Sequence, residues 1–446
     1  MKLTVLGGGG FRVPLVYSAL LRDHERGRVT QVRLYDTDRP RLDAIARVLR
    51  EQALDHPDAP EVMLCTDLAE AVAGADFIFS AVRVGGMEGR LCDERIGLSH
   101  DVIGQETVGF GGISYALRTI PAAIELAERV HALAPDAWVI NFTNPAGIVT
   151  EAMSRILGDR VIGICDSPVG LARRALGALG ISSASVEIDY AGLNHLGWLQ
   201  RLVVDGEDVL PRLLARDDLL ESFEEGRLFG APWIRALGAL PNEYLHYYYY
   251  RREVKHADQR AAQTRGGYLL GQQAGFYDGV AKGEGSALAL WEEARFDRET
   301  TYMVTNRESV GVGERDEEDL VSGGYERVAI ALMRAIAHDQ KARLILNVRN
   351  RGILADLDAD AVVEVPCIVG ASGAEPIPGS RLPEFGRGLV INAKYVERCT
   401  IEAAISSSRT AGVRALALHP LIDSVAVAGS LLEDAIASFP ELAYLR

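Results

Sequence analysis

Short apolar runs recur through the first 165 residues: LTVLG from residue 3, QVRLYD at 31–36, ADFIFSAV at 75–82, AWVIN at 137–141 and RVIGIC at 160–165. Amphipathic stretches lie between them, such as Arg39–Leu54 with apolar residues at Leu42, Ile45, Ala46 and Leu49. Strands that are apolar throughout need cover on both faces, so the pattern predicts an α/β fold with a parallel sheet between helix layers. In such sheets ligands gather beyond the carboxyl ends of the strands. Asp36, Arg83, Asn141 and Cys165 stand at those ends.

The first run passes through four glycines, Gly7, Gly8, Gly9 and Gly10, into the helical stretch VPLVYSALLRD. Glycines at a strand–helix turn let backbone amides approach a pyrophosphate, and the helix N-terminus adds partial positive charge. Gly7, Gly9, Gly10, Phe11 and Arg12 are therefore candidate cofactor contacts, although Arg12 stands where G-x-G-x-x-G has its third glycine. Asp36 ends the second strand, where a carboxylate accepts from ribose hydroxyls and favours NAD over NADP. Asp36 and Asp38 also suit the N-terminus of the helix from Arg39. Arg83 joins this cofactor set from the end of the 75–82 run.

At 446 residues the chain accommodates two or three domains, or one large α/β unit with a second lobe. A net charge of −15 argues against nucleic acid as a general partner, since phosphate backbones require a basic footprint. A small anionic substrate needs only a local arginine cluster. The five cysteines (Cys65, Cys92, Cys165, Cys367, Cys399) are scattered and lack CxxC spacing, which points to a reducing cytoplasm rather than a disulfide framework. No apolar run approaches the roughly 20 residues of a membrane span, and the chain opens on a strand, not a leader. A cytoplasmic protein with no membrane partner is expected.

From about residue 184 the pattern changes. SVEIDYAG and WLQRLVVDG predict antiparallel strands, with Asp205–Gly206 as a turn. Helical patterns cover 207–295, LVSGGYERVAIALMRAIAHD is an amphipathic helix, and the strands RLILNV and AVVEVPCIV precede a helical C-terminus. No linker or repeat separates the halves. The expected organisation is a Rossmann-like NAD-binding domain over 1–183 and a mixed α+β domain over 184–446 for substrate and oligomerisation. A metal site is expected at their interface.

Cys165 and His195 are the candidate metal ligands. Taken singly, each reads as a buried core residue; together beside one cleft, two ligands leave a metal open to substrate oxygens. Asp166 suits a general acid or simply the N-cap of the helix through PVGLARRALGAL, with Pro168 in its first turn. The stretch 86–112 reads as a long polar, glycine-rich loop carrying Arg90, Arg95 and Glu106. These are solvated charges on one reading; on the other, Arg90 is an anion clamp. PNEYLHYYYYRR at 241–252 predicts a helix packed by its aromatic face, and a tyrosine base there would need a cation to lower its pKa from about 10.

GGGGFR, GRLCDERIGLSHDVIGQET, NFTNPAG, the cysteine before DSP, GLNHLGW, PNEYLHYY and LNVRNRGIL together resemble glycoside hydrolase family 4, the NAD- and divalent-metal-dependent glycosidases. The resemblance implies a lactate/malate dehydrogenase-like architecture, with Cys165 and His195 holding Mn²⁺ and Tyr244 acting as general base. It implies that Glu106 raises the basicity of that tyrosine, that Arg90 and Asn144 contact substrate, and that Arg260 helps bind a sugar phosphate. The implied chemistry is NAD-assisted oxidation at C3, removal of the C2 proton, elimination of the aglycone, addition of water and return of the hydride, with no paired-carboxylate mechanism. FRVPLVYSALL looks closest to 6-phospho-β-glucosidases acting on a phosphorylated disaccharide or glucoside. Asp166 instead resembles phospho-α-glucosidases, in which the aspartate is the acid. A homodimer or homotetramer is expected. The non-glycosidase alternative is an NAD-dependent 2-hydroxy-acid dehydrogenase, which uses a His–Asp relay with an arginine clamp and no metal; GLNHLGW and ICDSP favour the metal-dependent reading.

Overall fold

The computed structural model describes residues 1–182, 185–312, 315 and 324–446. Six strands form the predicted parallel array: β1 (Lys2–Leu6), β2 (Gln31–Tyr35), β3 (Glu61–Cys65), β4 (Phe77–Ser80), β5 (Trp138–Asn141) and β6 (Val161–Gly163). Their order, β3-β2-β1-β4-β5-β6, is doubly wound and reverses between β1 and β4, where such sheets open a ligand crevice. Gly7 turns the chain out of β1 at φ +84°, and a Cβ there would lie 2.5 Å from the Ala81 carbonyl oxygen, so only glycine fits. Sequence periodicity missed β3, a five-residue strand with only Cys65 fully buried.

The second half extends the same sheet. It adds β7 (Val186–Leu193), β8 (Leu196–Val204), β9 (Glu207–Asp208), β10 (Leu240–Pro241), β11 (Ala342–Arg349), β12 (Val362–Gly370) and β13 (Gly373–Pro376). The main path continues β6-β11-β12-β7-β8-β10 through antiparallel pairs, making thirteen strands among the described residues. Two junctions are narrow: β6 meets β11 through Gly163 and Asn347, and β12 meets β7 through Glu364 and Gly192. One apolar core crosses both halves, from Leu3 and Phe79 to Trp198 and Val365. A second packs helices Gly109–Leu133, Glu384–Ser406, Arg409–Leu418 and Val425–Ser438 together. Among the described residues no helix is long and apolar enough to cross a membrane.

Two expectations are corrected. Residues 86–112 are not a long loop: helix Gly86–Ser99 and the start of helix Gly109–Leu133 occupy most of the stretch. Its glycines serve close packing, for a Cβ on Gly97 would sit 2.8 Å from the Cα of Gly104. PNEYLHYYYYRR is not one helix either. It breaks into β10, a 3₁₀ turn Glu243–Leu245, a short helix His246–Tyr249 and the start of helix Arg251–Arg260. Pro241 ends the strand and Asn242 caps the turn by accepting from the Tyr244 amide at 3.1 Å. The expected boundary between 183 and 184 lies outside the described residues, as does the LVSG start of the amphipathic stretch, whose described helix is Tyr325–His338.

Candidate active site

A cavity of about 1150 Å³ opens at the carboxyl ends of the parallel strands and is lined by both halves of the chain. Gly7, Gly9, Gly10, Phe11, Arg12, Asp36 and Arg83 line one end of it. Asp36 accepts from the Gly9 amide at 2.8 Å and the Asp38 amide at 3.0 Å, while Asp38 caps helix Arg39–Gln52 through the Arg41 amide. Both aspartates line the cavity, and Asp38 alone caps the helix. Phe11 is anchored edge-on to Phe276, and the Arg12 guanidinium lies over Tyr325. Arg83 pairs with Glu106 at 2.9 Å.

Cys165, Asp166, His195, Asn144 and Tyr244 line the same cavity. His195 occupies a two-residue turn between β7 and β8, with Leu193 paired to Leu196 and His195 at φ +64°. Gly192 and Gly197 permit this hairpin: a Cβ on Gly192 would strike the Leu196 carbonyl at 2.2 Å. Burial lowers the His195 pKa to about 3, so the imidazole is neutral, and its Nδ1 bonds the Thr107 hydroxyl at 3.0 Å. Its ring stacks on Tyr244 at 3.6 Å between centroids. Burial, with Glu364 and Asp166, raises the Cys165 thiol well above its ordinary range. Among the described residues no cluster of three His, Cys, Asp or Glu side chains is suited to a metal. A thiol and a neutral imidazole remain, a donor set that fits an open transition-metal site completed by exogenous oxygens.

Asp166 occupies the N-cap position of helix Ser167–Ala178, yet its side chain makes no capping bond. That leaves its carboxyl available to the cavity, and the capping expectation does not hold for the side chain. Glu106 pairs with Arg90 at 2.7 Å as well as with Arg83. Burial opposes its ionisation, but Arg90, Arg83 and Arg298 prevail and hold the carboxyl well below its usual range. Asn144 carries a buried Oδ1 with no hydrogen-bond partner, directed at no protein donor. Tyr244 is raised by burial first and by Glu243 next. Its hydroxyl bonds that of Tyr302 at 3.1 Å, and Tyr302 donates to Glu243 at 2.7 Å.

Arg260 is not brought to the cavity. It is exposed at the end of helix Arg251–Arg260, whose one buried residue is Val254, so its side chain follows the solvent face. Sequence reasoning missed two better-placed cations. Arg298 lines the cavity, and Arg298 and Arg265 both line the small chamber of about 80 Å³ beside it. Arg265 bonds Thr301 and the Arg298 carbonyl, and neither guanidinium has a carboxylate partner among the described residues. Burial lowers the pKa of both, with Arg12 adding to the effect at Arg298 and Arg90 at Arg265. Nothing in ARFDRET distinguishes Arg298 from a solvated helix charge; the signal is purely three-dimensional.

Residues 2–181 match the sequence model of family 4 glycosyl hydrolases, and residues 190–422 match that of the family 4 glycosyl hydrolase C-terminal domain. The chain is 32% identical to maltose-6'-phosphate glucosidase of Bacillus subtilis over 99% of this chain and 97% of that one. The 6-phospho-beta glucosidase of Thermotoga maritima, solved with NAD and glucose-6-phosphate, superposes with a TM-score of 0.83 at 27% identity, covering 98% of both chains. A 6-phospho-alpha-glucosidase from gut microorganisms, solved with NAD and Mn²⁺, gives 0.80 at 27% identity over 99% and 98%. Malate dehydrogenase of Plasmodium falciparum gives 0.52 at 13% identity over 91% and 99%, a likeness of fold alone.

Proposed function

The chain belongs to glycosyl hydrolase family 4, and from that premise we propose that it hydrolyses 6-phosphoglucosides, preferring the β-anomers, with NAD and Mn²⁺ as cofactors. One observation carries the reading: a single cavity gathers the glycine turn, the thiol–imidazole pair, a tyrosine stacked on that imidazole and Arg298, an arginine without a carboxylate partner among the described residues. Residues 1–183 serve the dinucleotide and 184–446 the substrate, with the metal between them.

When bound, NAD⁺ supplies a reversible hydride acceptor for sugar C3, and the divalent cation supplies the Lewis acidity that loosens the C2 proton. Tyr244 takes that proton. Its buried phenol is a poor base alone, and a cation held by His195, on which Tyr244 stacks, would make it a better one. Glu106, fixed as an anion by Arg90 and Arg83, adds negative charge on the same side. Asn144, with its free Oδ1, and Arg90 meet the sugar. Arg298 and Arg265 take the 6-phosphate in place of Arg260, since guanidinium groups with no carboxylate in ion-pair range among the described residues are completed by an anion. Asp166 protonates the departing oxygen.

FRVPLVYSALL and the likeness to the T. maritima enzyme support the β-anomer. The aspartate at Asp166, which resembles the acid of phospho-α-glucosidases, and the 32% identity to B. subtilis maltose-6'-phosphate glucosidase favour a second reading, a 6-phospho-α-glucosidase. The test incubates the protein with NAD⁺, Mn²⁺ and nitrophenyl 6-phosphoglucosides of both anomers in D₂O. Nitrophenol release with deuterium at C2, lost on removal of NAD⁺ or addition of chelator, is expected. Hydrolysis that survives both removals refutes the proposal, and the ratio of the two anomers decides between the readings.

A further inference from the structure

We infer that Glu364 is the outer-sphere carboxylate of the Cys165–His195 metal centre, positioning both the His195 turn and the Tyr244 turn and supplying the second negative charge that one thiolate and a neutral imidazole leave wanting. The inference rests on the metal reading proposed above. Glu364 lies in β12, is fully buried and does not line the cavity. Its place in the sheet is singular. Gly163, Asn347, Glu364 and Gly192 form one row across β6, β11, β12 and β7, and this row contains the only pairs that join β6 to β11 and β12 to β7 among the described residues. Gly163 stands two residues before Cys165, and Gly192 stands three before His195. The row therefore ties together the two strands that deliver the ligands.

The carboxylate reaches further than its backbone. Oε1 accepts from Asn347 Nδ2 at 2.9 Å and from Asn194 Nδ2 at 3.1 Å, and Asn194 is the first residue of the turn that presents His195. Oε2 accepts from the Tyr190 hydroxyl at 3.2 Å. That hydroxyl accepts from Asn242 Nδ2 at 3.3 Å, and Asn242 Oδ1 in turn holds the Tyr244 amide. One buried group thus fixes the elements carrying a ligand and the base. All three of its donors are uncharged, and no Lys, Arg or His lies in ion-pair range among the described residues. A buried carboxylate without a counter-charge is unfavourable. A divalent cation held by Cys165 and His195 would supply a counter-charge, and ligand-orienting groups behind a metal set its affinity. A purely structural hub would need no charge, and an amide would serve.

The test is Mn²⁺ titration of the chelator-stripped full-length protein, following free Mn²⁺ by electron paramagnetic resonance, with Cys165→Ser as the reference for lost binding. Glu364→Gln is expected to weaken Mn²⁺ binding by about 10–100-fold, with NAD⁺ affinity unchanged. Mn²⁺ affinity within twofold of the native value overturns the inference while leaving the metal reading intact. Failure of the native protein to bind Mn²⁺ overturns both. Tyr190→Phe, which keeps the carboxylate, is expected to lower kcat with KM and Mn²⁺ affinity retained; unchanged kcat overturns the link to Tyr244. If Glu364→Gln does not fold, Asn194→Ala cuts the hold on the His195 turn alone, and undiminished Mn²⁺ affinity in that variant overturns the inference equally.

Discussion

At the scale of single residues, the site works by withholding partners. Tyr244 is stacked on an imidazole, and among the described residues the Asn144 Oδ1 has no donor and Arg298 no carboxylate in ion-pair range. Replacing Tyr244 by Phe removes the proton acceptor and little else; nitrophenol release is expected to fall about 10²–10⁴-fold, with NAD⁺ binding by fluorescence quenching unchanged. Undiminished turnover would assign the base elsewhere. Arg298→Met is expected to raise KM for a phosphorylated substrate about 10–100-fold, the loss of a charge-assisted contact of roughly 1.5–3 kcal/mol. Because a distant phosphate is bound equally in ground and transition states, kcat should hold. A fall in kcat at constant KM would show that Arg298 acts at the reacting carbons.

Elements are held to one another by buried charges, and here the sign of each shift matters. Arg118 and Asp93, each 1% exposed, join helix Gly109–Leu133 to helix Gly86–Ser99 through bonds of 3.0 and 2.6 Å. Arg118→Met strands a buried carboxylate, and denaturant unfolding should report a loss of about 3–5 kcal/mol. On helix Arg251–Arg260, burial and then Glu94 raise Asp258 from 3.8 to about 7. The folded state binds that proton more tightly than the unfolded chain, so its stabilising effect is full below pH 3.8 and is lost as pH rises through 7. Asp258→Asn removes the dependence: between pH 5 and pH 8 the native melting temperature should fall relative to the variant's, and parallel profiles would exclude the effect. Most parallel strands, β7, β8, β11, β12 and the Asp205–Gly206 turn were legible because apolar continuity and turn chemistry are local signals. Helix Gly86–Ser99 was not, because glycines such as Gly97, which packs on Gly104, and Gly89, which faces Arg118, look like loop composition. The two-residue turn at His195 was hidden too, since a left-handed histidine is tolerated only where two glycines clear the space. The quoted motifs did bring Cys165, Asp166, His195 and Tyr244 to one cavity. Arg265, Arg298 and Glu364 owe their roles to contacts across long separations, which periodicity does not encode.

For the molecule as a whole, the continuous sheet and the core that crosses it predict that ligand binding at one end is felt everywhere. NAD⁺ at a hundred times its Kd should stabilise the entire chain by about 2.7 kcal/mol, visible as one transition moving intact in calorimetry. Two transitions, with only the earlier or later one responding, would show that the halves melt separately. The same sheet limits how the protein can be rearranged. In many cofactor-binding enzymes the dinucleotide portion is a portable unit, cut out and grafted at will. Here the cut would fall between β6 and β11, where the single pair Gly163–Asn347 bridges the sheet. It would also take from the cavity the walls that the second half contributes, His195 and Tyr244 among them. A truncated cofactor half is therefore an open half-site rather than a working module.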